Sequence, residues 1–529
     1  MINTMEDTSF SILRSAKQFF AGTALSRLSG LFRDIAMAFC FGAAPEVAAF
    51  MVAYRLANLL RRLFGEGNLQ AGFIPHFETL RGHSHKAAFS FYRDSVYSLA
   101  ALLGSIVLLI EVIFWFCLEF MDPAWREIAE LAMWMVPGLF FICLSALNAT
   151  FLQCQKKYFA PAASPVLFNF IWILTAMIVC QFAIVKAIRF LSIGITFGFA
   201  VQWAATALQA GKEMQKQNAL DPLQLFSGEW KKMASAAALG IVGVGAMQIN
   251  SALDAVFARI ADLSGPTYLW YAIRLEQLPL ALFGLALAGA LLPPLARCCR
   301  EGNVERYKTL LSSSLKQSAN FMAPCTFGLF IVGASGLNLL YGRGQFSSDD
   351  VRQTLYCLWG YGLGLIPASF VLLLAAGNFA KKSYFSPTLA SLVSVGINIL
   401  LNILLVFVFH LGPISIALAT SASAWMNFIF LFQKEHIEPG FAIYLIKLGI
   451  ACVFASLLTI YWSSFWGDAS LQICFGKEVA MSRGFLQQII QFFGTGLLFL
   501  GSFFIIAQLF RYILKAPQKS APVDATFRQ

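Results

Sequence analysis

Charge is scarce in this sequence, and long hydrophilic stretches are missing. Charged residues fill 12% of the 529 positions against 58% for hydrophobic ones, phenylalanine alone occurs 52 times, and the mean hydropathy is +0.70. A soluble globule with that composition would have too little polar surface to present to water, so the class is excluded. The longest hydrophilic segment, near 209–232, is under about 25 residues, which leaves no room for a soluble catalytic domain. The ~10-residue alternating segments of a membrane barrel are also absent. The opening MINTMEDTSF is polar and acidic, without a positive n-region or cleavage site, so no removable signal peptide is expected.

Metal and disulfide signatures are lacking as well. The five histidines have no ligand spacing, and His83 and His85 share a basic loop with His76, where solvation is the simpler role. Of the eleven cysteines most lie in apolar spans, Cys40, Cys117, Cys143 and Cys180 among them, and Cys298 with Cys299 falls on the expected cytoplasmic side. Neither disulfides nor a cysteine metal site are expected.

What the sequence has is a succession of apolar windows about 20 residues long, each sufficient to cross a ~30 Å hydrocarbon core as a helix. They predict an all-α polytopic membrane protein with about fourteen spans, near 12–41, 46–66, 95–120, 129–153, 161–184, 188–208, 233–261, 267–296, 314–341, 353–378, 385–410, 413–433, 444–466 and 489–514. With both termini cytoplasmic, about 24 lysines and arginines fall inside and about 8 outside, which orients the chain. Lys156 and Lys381 are then cytoplasmic, and Asp349 and Cys474 lie outside. The same asymmetry accounts for the net charge of +11, and no nucleic-acid site is expected.

An internal repeat divides the chain. AYRLANLLRRLFGEGNLQAGFIP (53–75) aligns with AIRLEQLPLALFGLALAGALLPP (272–294) at about 9 of 23 positions, pairing Arg55 with Arg274, Gly65 with Gly284 and Pro75 with Pro294. KKYFAP and KKSYFSP supply a second echo. Two six-helix repeats follow, 1–208 and 233–434, joined by a cytoplasmic linker at 209–232. Six crossings keep both copies in one orientation, so an axis along the membrane normal relates them, as in transporters. Residues 435–529 hold two extra helices and a cytoplasmic tail.

Ionisable residues interrupt this apolar background. Each costs at least ~2.5–3.5 kcal/mol to insert and survives mostly beside a polar cavity. Arg55, Arg62 and Glu66 fall within about 20° of one helix face, with Arg61 about 120° away. Arg27 and Arg33 in SRLSGLFRD and Arg274 in the repeat-related helix add to a cationic cavity. Guanidinium groups stay charged when desolvated and grip phosphate oxygens in pairs, so the cargo expected is an anion. Taken singly, any of them could instead snorkel to headgroups, and Asp34 or Glu66 could neutralise a neighbour. Asn398 and Asn402, spaced i and i+4, present two amide oxygens that with Asp254 could coordinate Na⁺, or simply hydrogen-bond between helices. No other cofactor is expected. Asp349 and Asp350 in GQFSSDDV form the clearest acidic pair, and their place before a helix reads as an N-cap, which leaves an enzyme without its metal carboxylates.

SRLSGLFRD, AAFMVAYRLANLLRRLFGEGNLQAGFIP, MQINSALDAVFAR, YAIRLEQLP and LYGRGQF, in that order over nearly the whole chain, resemble the motifs of the MurJ/MviN lipid II flippases. The resemblance implies the fold of the multidrug/oligosaccharidyl-lipid/polysaccharide superfamily in the bacterial inner membrane. It also implies alternating-access transfer of undecaprenyl-diphosphate-linked peptidoglycan precursor, a role in cell-wall biogenesis compatible with neighbours among cell-wall synthesis proteins. By position it makes Arg27, Arg33, Arg61 and Arg274 essential cavity residues, puts Arg55, Arg62 and Glu66 in the lumen, matches Asp254 to a family aspartate, and gives the last two helices a groove for the lipid tail. Two acidic positions depart from the family: Ala48 stands before AF in helix two, and Glu276 is followed by Gln277 in helix eight. A flippase for another polyprenyl-diphosphate-linked oligosaccharide is the nearest alternative. A multidrug antiporter, with twelve spans and an acidic or aromatic cavity, fits less well.

Overall fold

The computed structural model describes residues 9–64, 68–217, 220–435, 440–464 and 484–513. Glu66, the Arg62 side chain and Cys474 lie outside the described residues. Among the described residues every regular element is helical. Eleven of these helices, from His85–Phe120 to Phe485–Gln508, are long and apolar enough to cross a membrane. The chain is an all-α, multi-pass membrane protein. The expected spans missing from the eleven coincide with the helices Ser9–Phe41, Pro45–Phe64 and Gly228–Ala261. Charges interrupt the apolar windows of the first two, Arg27, Arg33 and Asp34 in one and Arg55 and Arg61 in the other, whereas several side chains of the third, 236–244 among them, lie outside the described residues.

Proline and small polar residues punctuate the helices. Pro123–Met135 gives way to a new helix that starts at Pro137, where a missing N–H costs nothing. Pro279 ends the α-helical part of Gly265–Pro279, a π-helical turn follows at Leu280–Gly284, and α-helix resumes at Leu285–Arg300. Ser84 caps His85–Cys117 by accepting from Ala87 N. Before Ser348–Gly362, the Ser347 N–H donates to Asp350 Oδ2 at 2.8 Å and the Asp350 N–H to Ser347 Oγ at 3.1 Å, a reciprocal capping box. Asp349 pairs with Arg352, so both aspartates have structural roles.

The chain forms two compact units. The first comprises 1–272, 341–357 and 391–419. Aromatic rings fill it, with Tyr54 4.9 Å from Trp172 and 5.8 Å from Trp270, and Tyr92 stacked on Phe151 at 3.8 Å. The segment between Ile184–Met214 and Gly228–Ala261 is fastened to the His85–Cys117 helix: the Asp221 N–H donates to Ser90 Oγ at 2.8 Å, the Phe226 N–H to Ser98 Oγ at 2.9 Å, and Lys86 meets Asp221 at 2.9 Å. The hydrogen bond from Lys86 holds the Asp221 carboxyl below the usual carboxylate range.

The second unit comprises 273–340, 358–390 and 420–529. Its core includes Leu295, Leu315, Phe370, Leu373, Cys452 and Phe499. The two last helices, Phe441–Ser464 and Phe485–Ile513, pack on each other and against Val304–Tyr341. Tyr444 donates to Asn320 at 2.6 Å, and Gly336 admits the Phe492 ring, which a Cβ would approach to 3.1 Å.

Candidate functional site

Ser26, Ser29, Gly30 and Arg33 share one face of the Ser9–Phe41 helix by their i, i+3, i+4, i+7 spacing, and that face meets Pro165–Val179. Arg33 and Asp34 are buried, with 7% and 3% of their surface exposed. Arg33 Nε and Nη2 donate to Asp34 Oδ1 at 3.0 and 2.8 Å, and Nη1 donates to Asn169 Oδ1 at 3.1 Å. The guanidinium lies 4.5 Å from the Trp172 ring centroid, a cation–π contact. Asn169 Nδ2 in turn donates to Ser29 Oγ at 2.8 Å, and Trp270 Nε1 to Asp34 Oδ1 at 3.4 Å. The neutralised alternative therefore describes Arg33 in this conformation: its donors are engaged by a carboxylate and an amide.

Arg55 reaches Ser251 O at 3.5 Å and lies 5.9 Å from Trp270, so the two arginines share an aromatic neighbour. Its charge also acts on Asp254. Asp254 is buried in Gly228–Ala261, where Asn402 Nδ2 donates to Oδ1 at 2.8 Å and Asn250 Nδ2 to Oδ2 at 3.5 Å. Asn402 Nδ2 also donates to Asn398 Oδ1 at 3.0 Å. The structure thus brings Asp254, Asn398 and Asn402 together, as their pattern anticipates. Among the described residues no group of three or more His, Cys, Asp or Glu side chains could hold a metal.

Arg27 is exposed on its helix and Arg61 is half-buried. Arg274, half-buried, and Glu276, buried, belong to the second unit, where Gln277 is exposed. Ala48 is fully buried, a position where an aspartate would require its own partner. Residues that sequence reasoning did not single out are Asn169, Trp172, Trp270 and Ser251. Asn169 had a readable signal, a lone amide inside the apolar run VLFNFIWIL.

Residues 37–477 match the family model described as lipid II flippase MurJ. A Chlamydia pneumoniae protein named probable lipid II flippase MurJ is 32% identical over 81% of this chain and 78% of its own length. A Vibrio cholerae protein of the same name is 28% identical over 81% and 83%. Among solved structures, a lipid II flippase MurJ in an inward closed conformation superposes with a TM-score of 0.69 at 22% identity, covering 94% of this chain and 99% of that one. An inward-facing MATE-family multidrug transporter gives 0.62 at 14% identity, over 79% and 95%.

Proposed function

The chain belongs to the lipid II flippase MurJ family, and from that premise we propose that it carries lipid II, the undecaprenyl-diphosphate-linked peptidoglycan precursor, from the inner to the outer leaflet of the bacterial inner membrane. The observation that carries the reading is the extent of the family match, residues 37–477. The family is one of transporters, not enzymes.

In this reading Arg27, Arg33, Arg55, Arg61, Arg62 and Arg274, with Glu66, receive the diphosphate. Arg33 must exchange Asp34 and Asn169 for phosphate oxygens to take part, so binding there competes with an internal ion pair. Six-helix lobes at 1–208 and 233–434, the linker at 209–232 and a tail-binding pair of helices within 435–529 complete the machine. Both termini face the cytoplasm. Cell-wall synthesis proteins are its partners in the membrane plane.

Na⁺ is the coupling ion we assign to Asp254, Asn398 and Asn402. Their donor chemistry fits: rotating the two amides would offer oxygens beside the carboxylate, and a single negative charge makes the site a weak one.

The test is depletion of the protein in its host while lipid-linked precursor is assayed on each leaflet. Accumulation on the cytoplasmic leaflet supports the proposal. An unchanged distribution overturns it.

A further inference from the structure

The helix Ser9–Phe41 runs beside Phe159–Ala163 and Pro165–Val179 in the same direction, and a series of contacts fixes their register. A Cβ on Gly22 would meet Ala162 Cβ at 2.7 Å, Asn169 Nδ2 donates to Ser29 Oγ at 2.8 Å, and Cys40 and Cys180 are near neighbours at the same spacing. The outer two pairs keep the 140-position offset that separates Ser29 from Asn169. The helices therefore stay in step for roughly five turns, from the glycine contact to the cysteines. Cys40 stands in the last turn of its helix, and Cys180 follows Val179 at the end of the other. Both are free thiols, and Cys180 is exposed.

We propose that Cys40 and Cys180 form a disulfide that staples the outer ends of these two helices. The proposal rests on the reading that both termini are cytoplasmic, because the first and fifth spans then deliver both thiols to the oxidising side of the membrane, where disulfides persist. Helices in close register can supply the Cα separation of about 4.4–6.8 Å that the bond requires. The surrounding apolar composition gave no reason to pair cysteines so distant in sequence. The register supplies it.

The chemistry balances with an exogenous disulfide carried by a thiol–disulfide oxidoreductase. The Cys180 thiolate attacks one of its sulfurs and displaces the other as a thiolate, leaving a mixed disulfide. The Cys40 thiolate then attacks Cys180 Sγ and releases the second sulfur of the reagent. Two electrons and two protons pass from the cysteine pair to the reagent, which leaves as a dithiol. The staple holds the helices that carry Arg33, Asn169 and Trp172 from parting at their outer ends.

Full-length protein in intact cells is exposed to a membrane-impermeant maleimide, with or without prior treatment by a membrane-impermeant phosphine, and each cysteine peptide is quantified by mass spectrometry. Phosphine should raise Cys180 labelling at least about fivefold, and without it a linked Cys40–Cys180 peptide should be recovered. In Cys40→Ser, Cys180 should label without phosphine, which identifies its partner. Full labelling of Cys180 in the unsubstituted protein without phosphine overturns the disulfide and leaves the topology standing. No labelling in intact cells under either condition, with ready labelling in inverted vesicles, overturns the topology and the disulfide together.

Discussion

Asp34→Ala would leave the Arg33 guanidinium buried with Nε and Nη2 unmatched, while Nη1 keeps Asn169 and the plane keeps Trp172. Removing one partner of a buried ion pair costs about 3–5 kcal/mol, and partial escape of the arginine toward water reduces the expected loss to about 2–4 kcal/mol. The cation–π contact is present before and after, so it drops out of the difference. Arg33→Ala should cost a similar amount, because it removes two charge-assisted donors from the buried Asp34 carboxylate. The double variant removes both charges and should be no less stable than either single one, a coupling of at least about 2 kcal/mol. Purified protein in detergent, heated at a fixed rate and followed by tryptophan fluorescence, reads this as apparent melting temperatures. Each single variant should melt several degrees lower, with no further drop in the double. Losses below about 0.5 kcal/mol that simply add in the double variant would refute the buried pair as a structural element.

For Arg27, Arg33, Arg61 and Arg274, alanine should abolish growth complementation at normal expression, and lysine should fail where paired donors grip phosphate, most clearly at Arg274; full complementation by all four alanine variants would make them membrane anchors instead. Asp254→Asn should weaken transport and flatten its dependence on sodium, measured in vesicles across a sodium series, and an unaltered dependence would remove the ion from the mechanism. Because Lys86 lowers the Asp221 carboxyl, their contact is intact at neutral pH and is lost as pH falls through the lowered value. Lys86→Ala should mimic that loss at all pH, increasing limited proteolysis between 215 and 226; cleavage indifferent to both acid and substitution would count against a fastened linker. Single-cysteine variants should react with an impermeant thiol reagent at position 474 and not at 381 in intact cells, and the reverse would invert the topology.

The spans were readable because an apolar window is a local property, and eleven of them recur as helices of membrane length. The helix start at 348 was readable for the same reason, although Ser347 rather than an aspartate caps it, with Asp350 three residues on as its reciprocal partner. Arg33 and Arg55 stood out as charges in apolar surroundings, but their partners did not. Asn169 is 136 residues from Arg33 and Ser251 is 196 from Arg55, and a helical pattern records which face is polar without recording what it meets. The neighbouring Asp34 was the exception, weighed as a counter-charge because it adjoins Arg33 in sequence. Ser90 and Ser98 gave no warning that they would receive the linker, since serine in a helix commonly bonds its own backbone.

The charged helices Ser9–Phe41 and Pro45–Phe64 also pose a problem of order during synthesis. Arg33 enters the translocation channel beside Asp34, so that helix can present a nearly neutral pair to the bilayer from the start. Ser251, which Arg55 reaches, is 196 residues further along, a delay of roughly 10–40 s at ~5–20 residues per second. Throughout that interval the Pro45–Phe64 helix carries an arginine worth about +2.5 to +3.5 kcal/mol at the membrane centre. The contacts that Arg55 makes with Ser251 and Trp270 therefore form only after Gly228–Ala261 and the helix that follows it have been made, and a ribosome stalled before them would leave the segment without that support.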